Sequence, residues 1–204
     1  MPEQAPPAFT LPAALVSQGY ALRPETEDDI PFLMRLYGTT REEELKLAPD
    51  WSAEQKQAFI AQQFAAQRHH YRAYIADCAF DVIERHGEAV GRLYLQARPN
   101  RLHIVDIALM PEHRGQGVGT AFMRALQEAA RASGRGVGIM VETINPAMRL
   151  YRRLGFTDVA DHGVYLEMEW LPTAHDPEKA CPRLDRGWEP VFEKDHAQTK
   201  SRFS

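Results

Sequence analysis

Two short stretches of the chain concentrate residue types that do chemistry at fixed spacing. The first is Arg114-Gly115-Gln116-Gly117-Val118-Gly119-Thr120, which follows the apolar run Ile107-Ala108-Leu109 and leads straight into a helical pattern. Glycines in such a turn let backbone N–H groups approach an anion closely, and the helix N-terminus adds its dipole. A phosphate or pyrophosphate is the ligand this implies, with Arg114 as its charge partner. The second stretch begins 26 residues after Gly119 and runs Asn145-Pro146-Ala147-Met148-Arg149-Leu150-Tyr151-Arg152-Arg153-Leu154-Gly155-Phe156. Asn145 has N-cap chemistry, Pro146 suits the first helical position, and Gly155 suits the C′ stop. Tyr151 is left over. It is either the wet edge of a core stripe with Met148 and Leu154, or a phenol placed to give up a proton.

The glycine turn alone admits several ligands. A dinucleotide fingerprint G-x-G-x-x-G fails in both registers, because Thr120 and Phe122 stand where the third glycine belongs. A P-loop fails for want of a Gly-Lys-Ser/Thr. A turn that only packs a helix on a sheet remains open. Taken with the strand before it, R-x-x-G-x-G resembles the acyl-CoA motif of the GNAT N-acetyltransferase superfamily, with Arg114, Gly117 and Gly119 at the motif positions. The spacing from Asn145 through Tyr151 to Gly155 and Phe156 resembles the second hallmark of that superfamily. The resemblance spans residues 19–170. It implies that the amides around Gly115, Gln116, Gly117, Val118, Gly119 and Thr120 hold the CoA pyrophosphate. It further implies that Ile107, Ala108 and Leu109 meet pantetheine and the thioester, that Asn145 contacts pantetheine, and that Tyr151 is the general acid at the sulfur. Arg149, Arg152 and Arg153 offer charges for the CoA phosphates, and Arg152 is the expected contact. Acetyl-CoA is the implied co-substrate.

Acyl transfer from a thioester to an amine makes three demands. The amine must be neutral, the developing oxyanion needs a donor, and the leaving thiolate needs a proton. An amine with a pKa near 10 costs about 4 kcal/mol to deprotonate at pH 7, so a base is expected, directly or through water. The oxyanion donor would be a backbone N–H of the 107–109 segment. Candidate bases are Asp106 and Glu84, then His103, with Glu142 as a further acid. The superfamily often places a glutamate five residues before the asparagine, but that position here is Met140. Glu142 lies on the same strand face as Met140 by period-two alternation. The run Arg41-Glu42-Glu43-Glu44 to Asp50-Trp51 offers acids and an aromatic wall for a cationic acceptor, or else a solvated helix turn. His69 and His70 have no partner at metal spacing, and no metal is expected.

The elements that must carry these groups follow from periodicity. Strand patterns cover 20–23, 80–86, 89–96, 102–110, 137–143, 156–162 and 164–170; helical patterns cover 27–37, 52–69, 117–132 and 146–154. Helices alternating with a meander predict an α/β chain with a mixed, mostly antiparallel sheet of about seven strands flanked by helices, the GNAT-like acyl-CoA N-acyltransferase fold. Eight of the 14 prolines fall near the ends, which divides the chain into a flexible tail 1–18, a domain 19–171 and a tail 172–204 whose Trp188 and Phe192 could dock. The 204 residues carry a net charge of −4, which argues against a nucleic-acid partner. No apolar run is long enough to span a membrane, the N-terminus lacks signal-peptide character, and two cysteines make no framework, so a cytoplasmic enzyme is expected. The expected acceptor is a small-molecule amine or a peptide amine, attacked directly in a ternary complex. A homodimer through the last strands or the tails is compatible with the sequence. A non-catalytic acyl-CoA-binding or sensor module is the alternative of another class.

Overall fold

The computed structural model describes residues 9–172. In chain order the elements are α1 (Ala13–Val16), β1 (Tyr20–Pro24), a 3₁₀ turn (Glu27–Asp29), α2 (Ile30–Thr40), α3 (Glu42–Lys46), α4 (Ala53–Tyr74), β2 (Cys78–Arg85), β3 (Glu88–Ala97), β4 (Arg101–Leu109), α5 (Val118–Ala132), β5 (Gly136–Glu142), α6 (Met148–Arg153), β6 (Thr157–Asp161) and β7 (Tyr165–Trp170). The strands form one seven-stranded sheet in the order β1-β2-β3-β4-β5-β7-β6. Every neighbouring pair is antiparallel except β4 with β5. The expected mixed sheet is therefore the observed one.

Its parallel junction is incomplete. β4 and β5 pair only from Arg101–Gly136 to Ile104–Ile139, although both strands run on. The ladder between β3 and β4 shifts at the same level, where Tyr94 faces Asp106 and Leu95 faces Ile104. Val105 is thus an extra residue on β4. A bulge of this kind bends the strand that carries it, and here β4 leaves β5 at that point. Beyond it, Asp106 and Ala108 share one face, while Ile107 and Leu109 share the other.

Each face is covered by different helices. The larger core packs α1, α5 and α6 on one side, through Leu15, Val118, Phe122, Leu126, Met148 and Tyr151 against Leu93, Ile104, Val137 and Met168. On the other side α2 and α4 build a smaller cluster around Leu33, Leu36, Tyr37, Ile60 and Phe64, reaching Ala108. The amphipathic stripe of α5 explains its seat: Val118, Phe122, Met123, Ala125, Leu126 and Ala130 are buried, and its exposed face is polar. The start of α2 is fixed by charge. Arg23 makes a two-pronged bond to Asp29 at 2.7 Å on each oxygen and a third bond to Glu84 at 2.5 Å. The same Asp29 carboxylate accepts from the Thr26 backbone and hydroxyl, and Arg23 holds it well below the usual carboxylate range.

Three boundaries differ from the sequence expectation. Residues 9–18 are not a loose tail, since Phe9 and Leu15 are buried in the main core; Pro12 precedes the single turn of α1 at its N-cap without interrupting it. The second long helix runs five residues past 69, because Gln67, His70 and Tyr71 continue its buried side. The acidic run at 42–46 is the short helix α3, with no buried residue, which is the solvated turn that such a run allows. The tail 172–204, apart from residue 172, lies outside the described residues. No described helix is long and apolar enough to cross a membrane.

Phe122, fully buried, and Leu47, 85% exposed, give opposite expectations. Phe122→Ala is expected to lower unfolding free energy by about 3–5 kcal/mol, and Leu47→Ala by no more than about 0.5 kcal/mol, read from urea melts of the full chain.

Candidate active site

The divergence of β4 from β5 creates two cavities that meet. One is a cleft of about 800 Å³ lined by Ile107, Ala108, Leu109, Arg114, Gly115, Gly117, Gly119, Thr120, Asn145, Leu150, Tyr151 and Arg153, with Thr39 and Thr40 on its far wall. The other, about 180 Å³, lies toward α2 and α4 and is lined by Arg41, Gln67, Tyr71, Arg92, His103, Asp106, Met140, Glu142 and Tyr165. Thr40, Ile107, Ala108, Asn145 and Tyr151 line both. The facing edges of residues 105–108 and 140–142 have no strand partner across the gap among the described residues, which leaves backbone donors and acceptors there for a ligand.

The glycine turn is built as an anion cradle requires. Gly115 and Gly117 have φ of +71° and +82°, and a Cβ at either would meet nothing within 4 Å. Their backbone conformation demands glycine, and the space beside them is open. Gly119 opens the first turn of α5, where a Cβ would meet only Leu150, at 3.8 Å. No protein atom therefore crowds Gly119. Arg114 fixes the turn, donating from Nε to the Leu109 carbonyl at 2.7 Å and from Nη2 to Thr39 Oγ1 at 2.5 Å. These features fit the pyrophosphate and pantetheine of coenzyme A.

On the opposite wall, Asn145 Oδ1 accepts from the Ala147 N–H at 2.8 Å, which starts the turn into α6, and Gly155 ends it at φ +84°. Tyr151 is 5% exposed, its ring tilted against Phe156 at 5.9 Å. Among the described residues none engages its hydroxyl. Burial, and then the charge of Asp106, raises its pKa above the ordinary phenol value, so the group keeps its proton at neutral pH.

Several expected roles need correction. Asp106 lines the smaller cavity, but its oxygens accept from Arg92 at 3.1 and 2.6 Å and from the Tyr71 hydroxyl at 3.2 Å. A carboxylate so engaged is a structural anchor, not a ready base. Glu84 lines neither cavity; its partner is Arg23. Arg152 pairs with Asp158 at 3.2 Å, and the arginine that faces the cleft is Arg153, three residues after Leu150 on the same helix face. Val118 points into the core, and the Gln116 side chain bonds the Glu112 carbonyl, so any contact of theirs is through the backbone. Glu44 binds Arg41, Glu43 binds Lys46, and Trp51 packs edge-on against Phe59; none of them lines the smaller cavity. Among the described residues no group of His, Cys, Asp or Glu is placed to hold a metal ion.

The sequence reading missed most of the smaller cavity. Arg92 is 2% exposed and also donates to Gln67 at 3.0 Å. Arg41 Nη1 donates to Glu44 at 2.6 Å and Glu142 at 3.1 Å, while its guanidinium lies 5.1 Å from the Tyr37 ring centre. Tyr165 sits across β5 from Glu142 in the antiparallel register. A charged residue inside an apolar strand, as Arg92 is, was the available signal.

The fold is that of solved N-acetyltransferases. The PaiA N-acetyltransferase of Thermoplasma acidophilum, solved in complex with coenzyme A, superposes with a TM-score of 0.54 at 16% identity over 75% of this chain and 99% of that one. The spermidine N-acetyltransferase of Vibrio cholerae, in complex with CoA and spermine, gives 0.50 at 18% identity over 76% and 96%. The acetyltransferase (GNAT) family model matches residues 35–156, and the chain belongs to that family. The streptothricin acetyltransferase of Streptomyces lavendulae is 45% identical over 58 residues, 28% of this chain and 31% of that protein. An N-alpha-acetyltransferase of Sulfurisphaera tokodaii is 30% identical over 105 residues, 44% of this chain and 62% of that protein. The chain thus spans less than two thirds of either curated relative it matches.

His103 gives this region a pH signature. Burial, then the charges of Arg98 and Arg101, hold its imidazole well below the ordinary 6.5, so it is neutral in the fold and protonates in the unfolded chain as pH falls below about 6.5. The unfolded state then binds more protons and stability drops on acidification. Between pH 6.5 and 5 the wild type should lose up to about 1.4 kcal/mol per pH unit from this group, and His103→Gln should show a shallower fall in denaturant melts across that range.

Proposed function

We propose that this protein is an acetyl-CoA-dependent N-acetyltransferase that moves the acetyl group directly to an amine held in the smaller cavity. The observation that carries the reading is the position of Tyr151, which lines both cavities at their junction and has a buried, protonated, unengaged hydroxyl. The thioester supplies the activated acyl group. The cleft residues orient it: the amides of the glycine turn take the pyrophosphate, Arg153 adds charge, and the open edge of β4 at 105–108 pairs with the pantetheine arm. A backbone N–H of that edge stabilises the negative charge that develops on the carbonyl oxygen.

The amine enters from the other side of the gap. It must lose a proton before attack, and Glu142 is the acid placed to take it, directly or through water. Only Arg41 engages its carboxylate among the described residues, through Oε1, which leaves Oε2 for the amine. The new bond is carbon to nitrogen, the bond that breaks is carbon to sulfur, the departing thiolate takes the proton of Tyr151, and the second proton that the nitrogen sheds as it becomes an amide returns to the tyrosinate, directly or through water. Both substrates occupy their cavities at once, so no acyl-enzyme is needed.

Thermal unfolding with acetyl-CoA, CoA and NADH tests the cofactor. At ligand about 100-fold above Kd the linkage is ~2.7 kcal/mol, which for this size raises Tm by roughly 5–11 °C with the first two and not with NADH. Tyr151→Phe should keep that shift and lose about 10²-fold or more in kcat, while Glu84→Gln should leave turnover unchanged. Normal turnover by Tyr151→Phe removes the assigned acid. Binding without CoA release for any amine leaves an acyl-CoA-binding module.

A further inference from the structure

The smaller cavity specifies its occupant by size and by charge. At about 180 Å³ it is below the roughly 300–1,000 Å³ of sites that take drug-sized ligands, so the group inside it is small. The charged side chains on its wall are two cations, Arg41 and Arg92, and two anions, Asp106 and Glu142. His103 is neutral there. Asp106 is consumed by Arg92 through both oxygens. Arg41 and Glu142 are not consumed by each other: one guanidinium nitrogen, Nη1, serves both Glu44 and Glu142. Arg41 Nε is buried with no hydrogen-bond partner among the described residues, while the rest of the guanidinium faces Glu44, Glu142 and the Tyr37 side chain. Glu142 likewise keeps one oxygen. The wall therefore presents a cationic group with a donor left over beside an anionic group with an acceptor left over; its own two cations and two anions balance, and Glu44 pairs with Arg41 from outside it.

We propose that the acceptor is a small zwitterion, an amine carrying its own carboxylate as a free amino acid does, with the carboxylate on the open Nε–H of Arg41 and the amine beside Glu142. A guanidinium is the side chain best shaped to receive a carboxylate, and the buried, unpartnered Nε of Arg41 is the donor that it would satisfy. A zwitterion brings both charges to partners already present, whereas a diamine or polyamine adds positive charge to Arg41 and Arg92. The inference rests on the transferase reading and narrows its substrate class.

The test measures CoA release by the full chain at saturating acetyl-CoA, with free amino acids each set beside its decarboxylated amine, such as lysine with cadaverine and tyrosine with tyramine, and with spermidine and a short peptide as further acceptors. The expected result is a kcat/KM at least about tenfold higher for an amino acid than for its decarboxylated counterpart, the loss expected when a charged hydrogen-bond partner is missing. Arg41→Gln should shrink the ratio of kcat/KM between an amino acid and its decarboxylated amine by about tenfold, over and above any loss common to both through Glu142. The comparison within wild type stands even if that variant folds poorly. Decarboxylated amines, spermidine or the peptide reacting as well as or better than the amino acids, or Arg41→Gln impairing both members of a pair alike, overturns the proposal and leaves the transferase reading intact. No release with any amine, while acetyl-CoA still raises Tm, overturns both.

Discussion

The site depends on one constraint: two parallel strands pair for four residues and then part. A buried strand edge without a partner is costly, because each N–H and C=O left unpaired has been removed from water. β4 and β5 must therefore be held apart by interactions strong enough to offset an open edge. The bulge at Val105 supplies the direction of departure. Two charge pairs hold the result, one around the buried Arg92 and one half-buried. Arg92 and Asp106 tie β3 to β4, with Gln67 and Tyr71 bringing in α4, and Arg41 with Glu142 ties the end of α2 to β5. Arg114 takes up the carbonyl of Leu109 at the end of the open edge. What remains unpaired along 105–108 is what an extended amide-bearing ligand would satisfy.

The same economy explains why acids that look catalytic are not all available for catalysis. Buried ion pairs hold geometry well, and breaking one strands the other charge at a cost of about 3–5 kcal/mol. Asp106 is in such a pair, so taking up a proton would mean weakening its hold on the buried Arg92. Glu142 is held more loosely, by a nitrogen it shares with Glu44 at a longer distance. Its second oxygen can change protonation without dismantling the wedge. Of the two carboxylates on neighbouring strands, Asp106 is wholly engaged in holding the opening, while Glu142 helps to hold it with one oxygen and keeps the other free of partners among the described residues.

How much of this was legible in the sequence depended on whether a residue's role was local. The glycine turn and the Asn145–Gly155 helix are written in caps, stops and positive-φ positions, all decided within a few residues, and the structure places both at the cleft. The seven strands followed from alternation. Roles that depend on tertiary pairing were not legible. Asp106 and Glu84 look alike as acids on strands, yet Arg92 and Arg23 come to them from other segments. Arg152 and Arg153 are adjacent in sequence but about 100° apart around a helix, and only the seating of Leu150 on the cleft decides which one faces it. Phe9 and Leu15 show the converse error: prolines read as breaking structure were compatible with a docked single turn.

The last turn of α2 deserves weight out of proportion to its size, because three consecutive residues reach three different surfaces. Thr39 receives Arg114 and so touches the glycine turn. Thr40 lines both cavities, and Arg41 reaches Glu142 in the smaller one. A helix turn is a stiff unit with its hydrogen bonds made internally, and side chains on it cannot shift by different amounts without breaking those bonds. The wall of the cleft and the wall of the smaller cavity are therefore one rigid piece on this side. Substitutions that reshape the smaller cavity through this turn are transmitted to Arg114, and hence to the glycine turn. Tyr165 lines the smaller cavity and not the cleft, so the cavity can be reshaped there with less disturbance to that turn.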